Sequence, residues 1–145
     1  MAGESWGGEF KVAVLPCNGI GRLVSTIMRQ ASYLLADLRP GQVVLLSAVA
    51  LTVQETEELA SFNRYPVLVL DACQPHCATA LVKELGKQPA ASIYVPEVAA
   101  ETKIPLAGEK RRGLGRRGRE LAEAVAQKAA AEVDRIIADE MLSTL

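Results

Sequence analysis

Aromatic residues are scarce in this chain: one Trp, three Tyr and two Phe among 145 residues. A core must therefore be assembled from Leu, Val, Ile and Ala. An excess of charge of one sign is also missing. The formal net charge is −1, so the bulk charge gives no argument for a nucleic acid or a membrane surface as partner. No apolar run approaches the roughly 18 residues a membrane span needs. The opening MAGESWGGEF has no basic stretch followed by an apolar one, so no secretory signal is expected. It lacks a myristoylation signal as well, because Trp6 stands where that motif requires Ser or Thr. Cysteines number three. Three cannot all pair within one chain, and the length does not suit a disulfide scaffold. Reduced thiols in a cytoplasmic protein are expected.

What remains is a globular composition, half hydrophobic and under a quarter charged, long enough to bury a core without disulfides or metal. One domain over residues 1–145 is expected, with a frayed polar, Gly-rich start over 1–8.

The chain then alternates. FKVAVLP (10–16) reads as a strand ended by Pro16, and CNGIG (17–21) as a loop in which Asn18, Gly19 and Gly21 favour a tight turn. Apolar residues at 20, 24, 27, 31, 34, 35 and 38 have helical spacing, stopped by Arg39-Pro40-Gly41. QVVLLSAVAL (42–51) has a strand-like core at 43–46. TVQETEELASF (52–62) predicts a short acidic helix with Thr52 or Thr56 as its cap. YPVLVLDA (65–72) predicts a buried strand. PHCATALVKELG (75–86) predicts a helix with Pro75 near its first turn and Gly86 at its end. ASIYVPE (91–97) is a fourth strand, and 98–115 a loop or partial structure. A helix is expected from about Gly118 to Met141, with Leu121, Val125, Ala129, Val133, Ile136, Ile137 and Met141 as its apolar stripe.

This β-α-β-α-β-α-β-α order, with strands that are near-continuous apolar runs, predicts a three-layer α/β fold. Its sheet would be four-stranded and mainly parallel, Rossmann- or flavodoxin-like, with strand order 2-1-3-4 and a long C-terminal helix. Such folds bind ligands outside the carboxyl ends of their strands. Cys17 follows the first strand directly and Cys73 follows the third, so in that order the two loops are neighbours. Cys73 and Cys77, four apart at a helix start, are expected to share one helix face. Three thiols would then converge, and the thiolate is both nucleophile and metal ligand. The single histidine, His76, cannot aim with Cys77 at one metal if both are helical, because adjacent helical residues point about 100° apart. It is nevertheless a candidate fourth ligand or supporting group, as are Ser47 and Asp71. Asp71 could instead cap the following loop.

Several motifs nearly fit. Arg22 falls one position short of the Cys-x5-Arg phosphatase spacing. Val24 occupies the third glycine of a dinucleotide fingerprint, and no Gly-Lys-Ser/Thr follows. The cysteines are spaced C-x-x-x-C rather than C-x-x-C. EKRRGLGRRGR (109–119) carries six basic residues, Lys110 to Arg119, but no aromatic residue is interleaved for stacking. It reads as a solvated lead into the last helix, and nucleic acid is not expected as partner.

LPCNGIG, LDACQPHCA and GRRGRELAEAVAQKAAAEVDRI together resemble the DGC-domain family over roughly residues 10–140. Cys17 and Gly19 match that family's first loop; Asp71, Cys73, Cys77 and Ala78 match its Asp-Gly-Cys loop and the Cys-Ala after it. The resemblance implies an α/β domain that binds zinc through these cysteines, with no reaction specified. Two departures stand out. Ala72 replaces the motif glycine, which would strain a loop needing positive φ. Leu46 or Ser47, and Val67, stand where family members often carry further cysteines. Zinc held by Cys17, Cys73 and Cys77 needs a fourth ligand. The alternatives are a redox or sulfur-handling enzyme using Cys73 or Cys77, an iron–sulfur binding accessory protein, and a module that uses its sheet tips or basic loop for a protein partner or a second copy of itself.

Overall fold

The computed structural model describes residues 10–145 except Asn18 and Ile20. The expected fraying of residues 1–8, the reading of Trp6, the part of Asn18 in the first loop and the place of Ile20 in the first helical stripe lie outside the described residues.

Four strands form one parallel sheet: β1 (Val12–Pro16), β2 (Val43–Leu45), β3 (Val67–Asp71) and β4 (Ala91–Tyr94), in the order β2-β1-β3-β4. The expected 2-1-3-4 order is therefore found. Every residue of β3 is buried, as are the first four of β1, whereas the β2 residues are only half-buried. The two central strands thus carry the uninterrupted apolar runs VAVLP and VLVLD because helices cover both their faces.

Among the described residues six helices surround the sheet: α1 (Leu23–Leu38), α2 (Ala48–Thr52), α3 (Thr56–Arg64), α4 (Cys77–Glu84), α5 (Val95–Thr102) and α6 (Arg116–Ser143). α1, α5 and α6 pack against one another, and α2 packs against both α3 and α4. Right-handed crossovers place these two groups on opposite faces. α6 buries Leu121, Ala122, Val125, Ala126, Ala129, Ala130, Val133, Ile136 and Ile137. Its small alanines let α1 approach closely. Each fully buried Leu or Val contributes about 1.5–3 kcal/mol.

The structure corrects several expectations. The end of the 42–51 stretch forms α2, which closes at Thr52, and the helix expected over 52–62 is α3, shifted to Thr56–Arg64. Their caps are Ser47, whose hydroxyl accepts from Ala50 N, and Glu55, whose carboxylate accepts from Glu57 N and Glu58 N, not Thr52 or Thr56. β4 stops at Tyr94, and α5 occupies much of what was expected to be strand end and loop. Pro96 sits in the first turn of α5, where its missing N–H is harmless. Met141 is 46% exposed and does not belong to the buried stripe, because α6 outruns the sheet.

Candidate metal centre

The register of the central strands brings the two cysteine loops side by side. Pro16 is level with Leu70 across the β1–β3 ladder. One residue on, Cys17 donates its backbone N–H to Leu70 O at 3.0 Å, so the ladder extends to the first thiol. Cys17 is buried. The loop beyond it is tied down by two guanidinium groups: Arg29 Nη2 donates to Gly19 O at 3.1 Å, and Arg111 Nη1 donates to Gly21 O at 3.0 Å. A Cβ at position 19 would sit 2.9 Å from Ser25 Oγ. A larger residue there would have to displace that hydroxyl, which lies in the first turn of α1. Arg111 belongs to the basic 109–119 segment, and Thr26 Oγ1 donates to its carbonyl at 2.8 Å. That segment is therefore anchored over the start of α1 rather than merely leading into α6.

The second loop is organised by Asp71. Its buried carboxylate accepts from Ala78 N at 2.9 Å, Thr79 N at 3.3 Å and Thr79 Oγ1 at 2.5 Å. Asp71 thus caps α4 from the tip of β3 and satisfies backbone donors that the helix leaves open. The N-cap residue itself, His76, makes no side-chain cap bond and is left-handed, with φ 50° and ψ 54°. His76 N donates to Cys73 O at 3.0 Å, closing a turn. Its ring packs 4.5 Å from the Tyr94 ring, with Nδ1 3.5 Å from Asp71 Oδ2.

This turn overturns one expectation. Cys77 is the first residue of α4, whereas Cys73 lies in the turn before it. They do not share a helix face, because Pro75 and the left-handed His76 redirect the chain between them.

All three cysteines are free: Cys17 buried, Cys73 half-buried and Cys77 exposed. Burial pushes the Cys73 thiol up, and the negative fields of Cys17, Cys77 and Asp71 push it further, against the pull of Arg22. Cys73 thus lies within electrostatic reach of both other thiols. Among the described residues, no three His, Cys, Asp or Glu side chains stand together in a cluster that would hold a metal ion as placed.

The DGC-domain family model matches residues 13–113. This chain belongs to the DGC-domain family. All three cysteines fall within the matched span, and all of α6 lies beyond it. No curated protein and no solved structure matches the chain. The departure at Ala72 carries no backbone penalty in this DGC domain. Ala72 is absent from the non-glycine residues with positive φ, which are Gln54, His76 and Lys103, and its side chain is buried in the core. The expected strain does not arise, because it is His76 that supplies the left-handed residue of the loop. Histidine tolerates that region better than most side chains do.

The three sulfurs, none in a disulfide, are of the ligand type that soft divalent cations take, but as placed they do not close around one point. The oxygen candidates are already engaged. Asp71 is spent on α4, and Ser47 Oγ accepts from Ala50 N at 3.2 Å while Ser47 N donates to Glu58 Oε2 at 2.7 Å. Three neighbours of the site escaped the sequence reading. Arg22 acts on the Cys73 thiol, Tyr94 supports His76, and Arg29 lines a cavity with Cys17. Arg22 stood in the sequence as a failed phosphatase motif. Arg29 sits mid-helix, and nothing in helical periodicity says that it turns toward the sheet tip.

Proposed function

We propose that this DGC domain binds a divalent metal, zinc foremost, through Cys17, Cys73 and Cys77. The observation that carries the reading is the meeting of both cysteine loops at the carboxyl edge of β1 and β3, with Cys73 in the field of both other thiols. Three thiolates gathered there would repel one another, and a bound cation relieves that repulsion. Zinc would take a fourth donor. Asp71 and Ser47 are engaged elsewhere, which leaves His76 or a water. When bound, the metal supplies a positive charge and, at a water-filled fourth position, a Lewis acid. The chain's own contribution is to hold the sulfurs: Asp71 fixes the start of α4 and hence Cys77, and the β1–β3 ladder fixes Cys17.

Metal analysis of freshly purified protein tests this. Near one zinc per chain is expected, with large loss in Cys17→Ser, Cys73→Ser and Cys77→Ser variants that keep their folded circular-dichroism spectrum. Metal-free wild-type protein that takes up no zinc on addition overturns the reading.

Exposure of Cys77 supports a second reading, thiol–disulfide exchange. The Cys77 thiolate would attack a substrate disulfide and displace one substrate thiolate. Cys73 would then resolve the mixed disulfide, leaving Cys73–Cys77 oxidised and the substrate reduced. Metal-free protein with one fast-reacting thiol favours it. An iron–sulfur cluster on the same cysteines would show as brown protein with iron and acid-labile sulfide.

A further inference from the structure

A cavity of about 190 Å³ opens on the other side of Cys17, between the ends of β1 and β2 and the middle of α1. Pro16, Cys17, Leu45, Leu46 and Ala48 line it with Arg29, Ser32, Tyr33 and Ser47. Its size suits a small molecule.

Arg29 decides what the cavity prefers. Its guanidinium spends one nitrogen, Nη2, on Gly19 O. Among the described residues no carboxylate forms an ion pair with it, whereas Arg39, Arg116 and Arg135 each have one. The buried Ser32 hydroxyl donates to Arg29 O at 2.7 Å, and among the described residues the guanidinium makes no bond to it. Glu58, which is bonded to the lining residue Ser47, accepts from its backbone N–H at 2.7 Å. A half-buried guanidinium that lines a small cavity, with donors that no described residue takes up, matches a planar carboxylate, which accepts two parallel N–H bonds. The opposite wall is apolar, with Pro16, Leu45 and Leu46, and suits a short hydrocarbon chain.

We propose that this cavity binds a small aliphatic carboxylate, its anion on Arg29 and its chain against Leu45 and Leu46 beside the Cys17 thiol. The site extends the metal proposal through Cys17 but does not need the metal. A substituent on the bound acid would lie next to the thiol cluster, so the cavity selects which small acids reach it.

Sodium propionate titrated into metal-free, reduced protein at constant ionic strength tests this, followed by 1H–15N spectra that include the Arg29 Nε–H. Saturable shifts are expected at Arg29 Nε–H and at the amides of Cys17, Ser47 and Ala48, with propionamide producing none of them. Arg29→Gln should weaken binding about tenfold or more, the worth of a charge-assisted bidentate contact. Since Arg29 also holds Gly19, Ala48→Leu provides a second test: it fills the cavity and should abolish the shifts while leaving that bond in place. Equal shifts with propionamide, no saturation with propionate, or undiminished binding in folded Ala48→Leu overturns the proposal. Phosphate binding in preference to propionate also overturns it, by assigning the site to inorganic oxyanions. Zinc uptake is measured on the same samples. Propionate binding without zinc uptake sinks the metal reading alone, and zinc uptake without propionate binding sinks this one alone.

Discussion

At the scale of single residues, the cysteine edge combines chemistry and architecture in adjacent positions. Cys77 is exposed, Cys73 half-buried and Cys17 buried. In metal-free protein a thiol reagent should therefore modify Cys77 first and Cys17 last, with zinc slowing all three; mass spectrometry of quenched samples reads the order. Labelling of Cys17 ahead of Cys77 would mean that the β1 tip is not buried as described. Asp71 is the architectural member. Asp71→Ala leaves Ala78 N without its buried partner and removes the cap of α4, a loss of about 1–3 kcal/mol in denaturant unfolding. Ala72 makes the opposite point. Restoring the family's glycine should not stabilise this chain, since Ala72 has no positive φ to relieve. Ala72→Gly should cost about 0.5–1 kcal/mol through chain entropy alone, more with the lost buried methyl.

At the scale of elements, the long helix α6 is the main prop of one face. Leu121 is fully buried beneath it, and Leu121→Ala should destabilise by about 2–5 kcal/mol, read by urea unfolding. α6 is also pinned to the end of α1 by Arg39, whose Nε and Nη2 donate to the two Asp134 oxygens at 2.7 and 2.8 Å. The Arg39 hydrogen bonds hold the Asp134 carboxyl below the usual carboxylate range, with burial opposing. A depressed carboxylate adds stability above its unfolded pKa and loses it as pH falls through the folded one. Asp134→Asn should thus lower Tm slightly at neutral pH and leave it unchanged in strong acid. The neutral-pH effect should shrink in high salt, because the pair is exposed. ASIYVPEVAAET carries a strand signal and a helix signal back to back, and the β-branched residues Ile93, Val95 and Val98 extend the first into the second. Pro96 was read inside the strand, although a proline at that point is the start signal of a helix. The stop between α2 and α3 was hidden for a related reason: Gln54 takes a positive φ of 59° that its side chain does not announce.

For the whole molecule, alternation of apolar runs and amphipathic stretches was enough to predict a parallel sheet in the order 2-1-3-4. Right-handed crossovers leave few other arrangements for that element order. That the loops bearing Cys17 and Cys73 follow neighbouring strands comes from strand order, and so it too was legible. Local geometry was not: the αL turn at His76 and the direction of Arg29 depend on tertiary contacts with Tyr94, Asp71 and Gly19 that no local pattern encodes. No described helix is long and apolar enough to cross a membrane. Zinc binding, if it deprotonates the thiols, should release protons and raise stability in proportion to metal concentration, which calorimetry in two buffers of different ionisation enthalpy would read. The most direct test of the account is X-ray absorption at the zinc edge on stoichiometrically loaded protein. The account predicts a first shell of about three sulfurs near 2.3 Å with one lighter atom near 2.0–2.1 Å. A shell of nitrogen and oxygen alone, or one unchanged by Cys17→Ser, would contradict it.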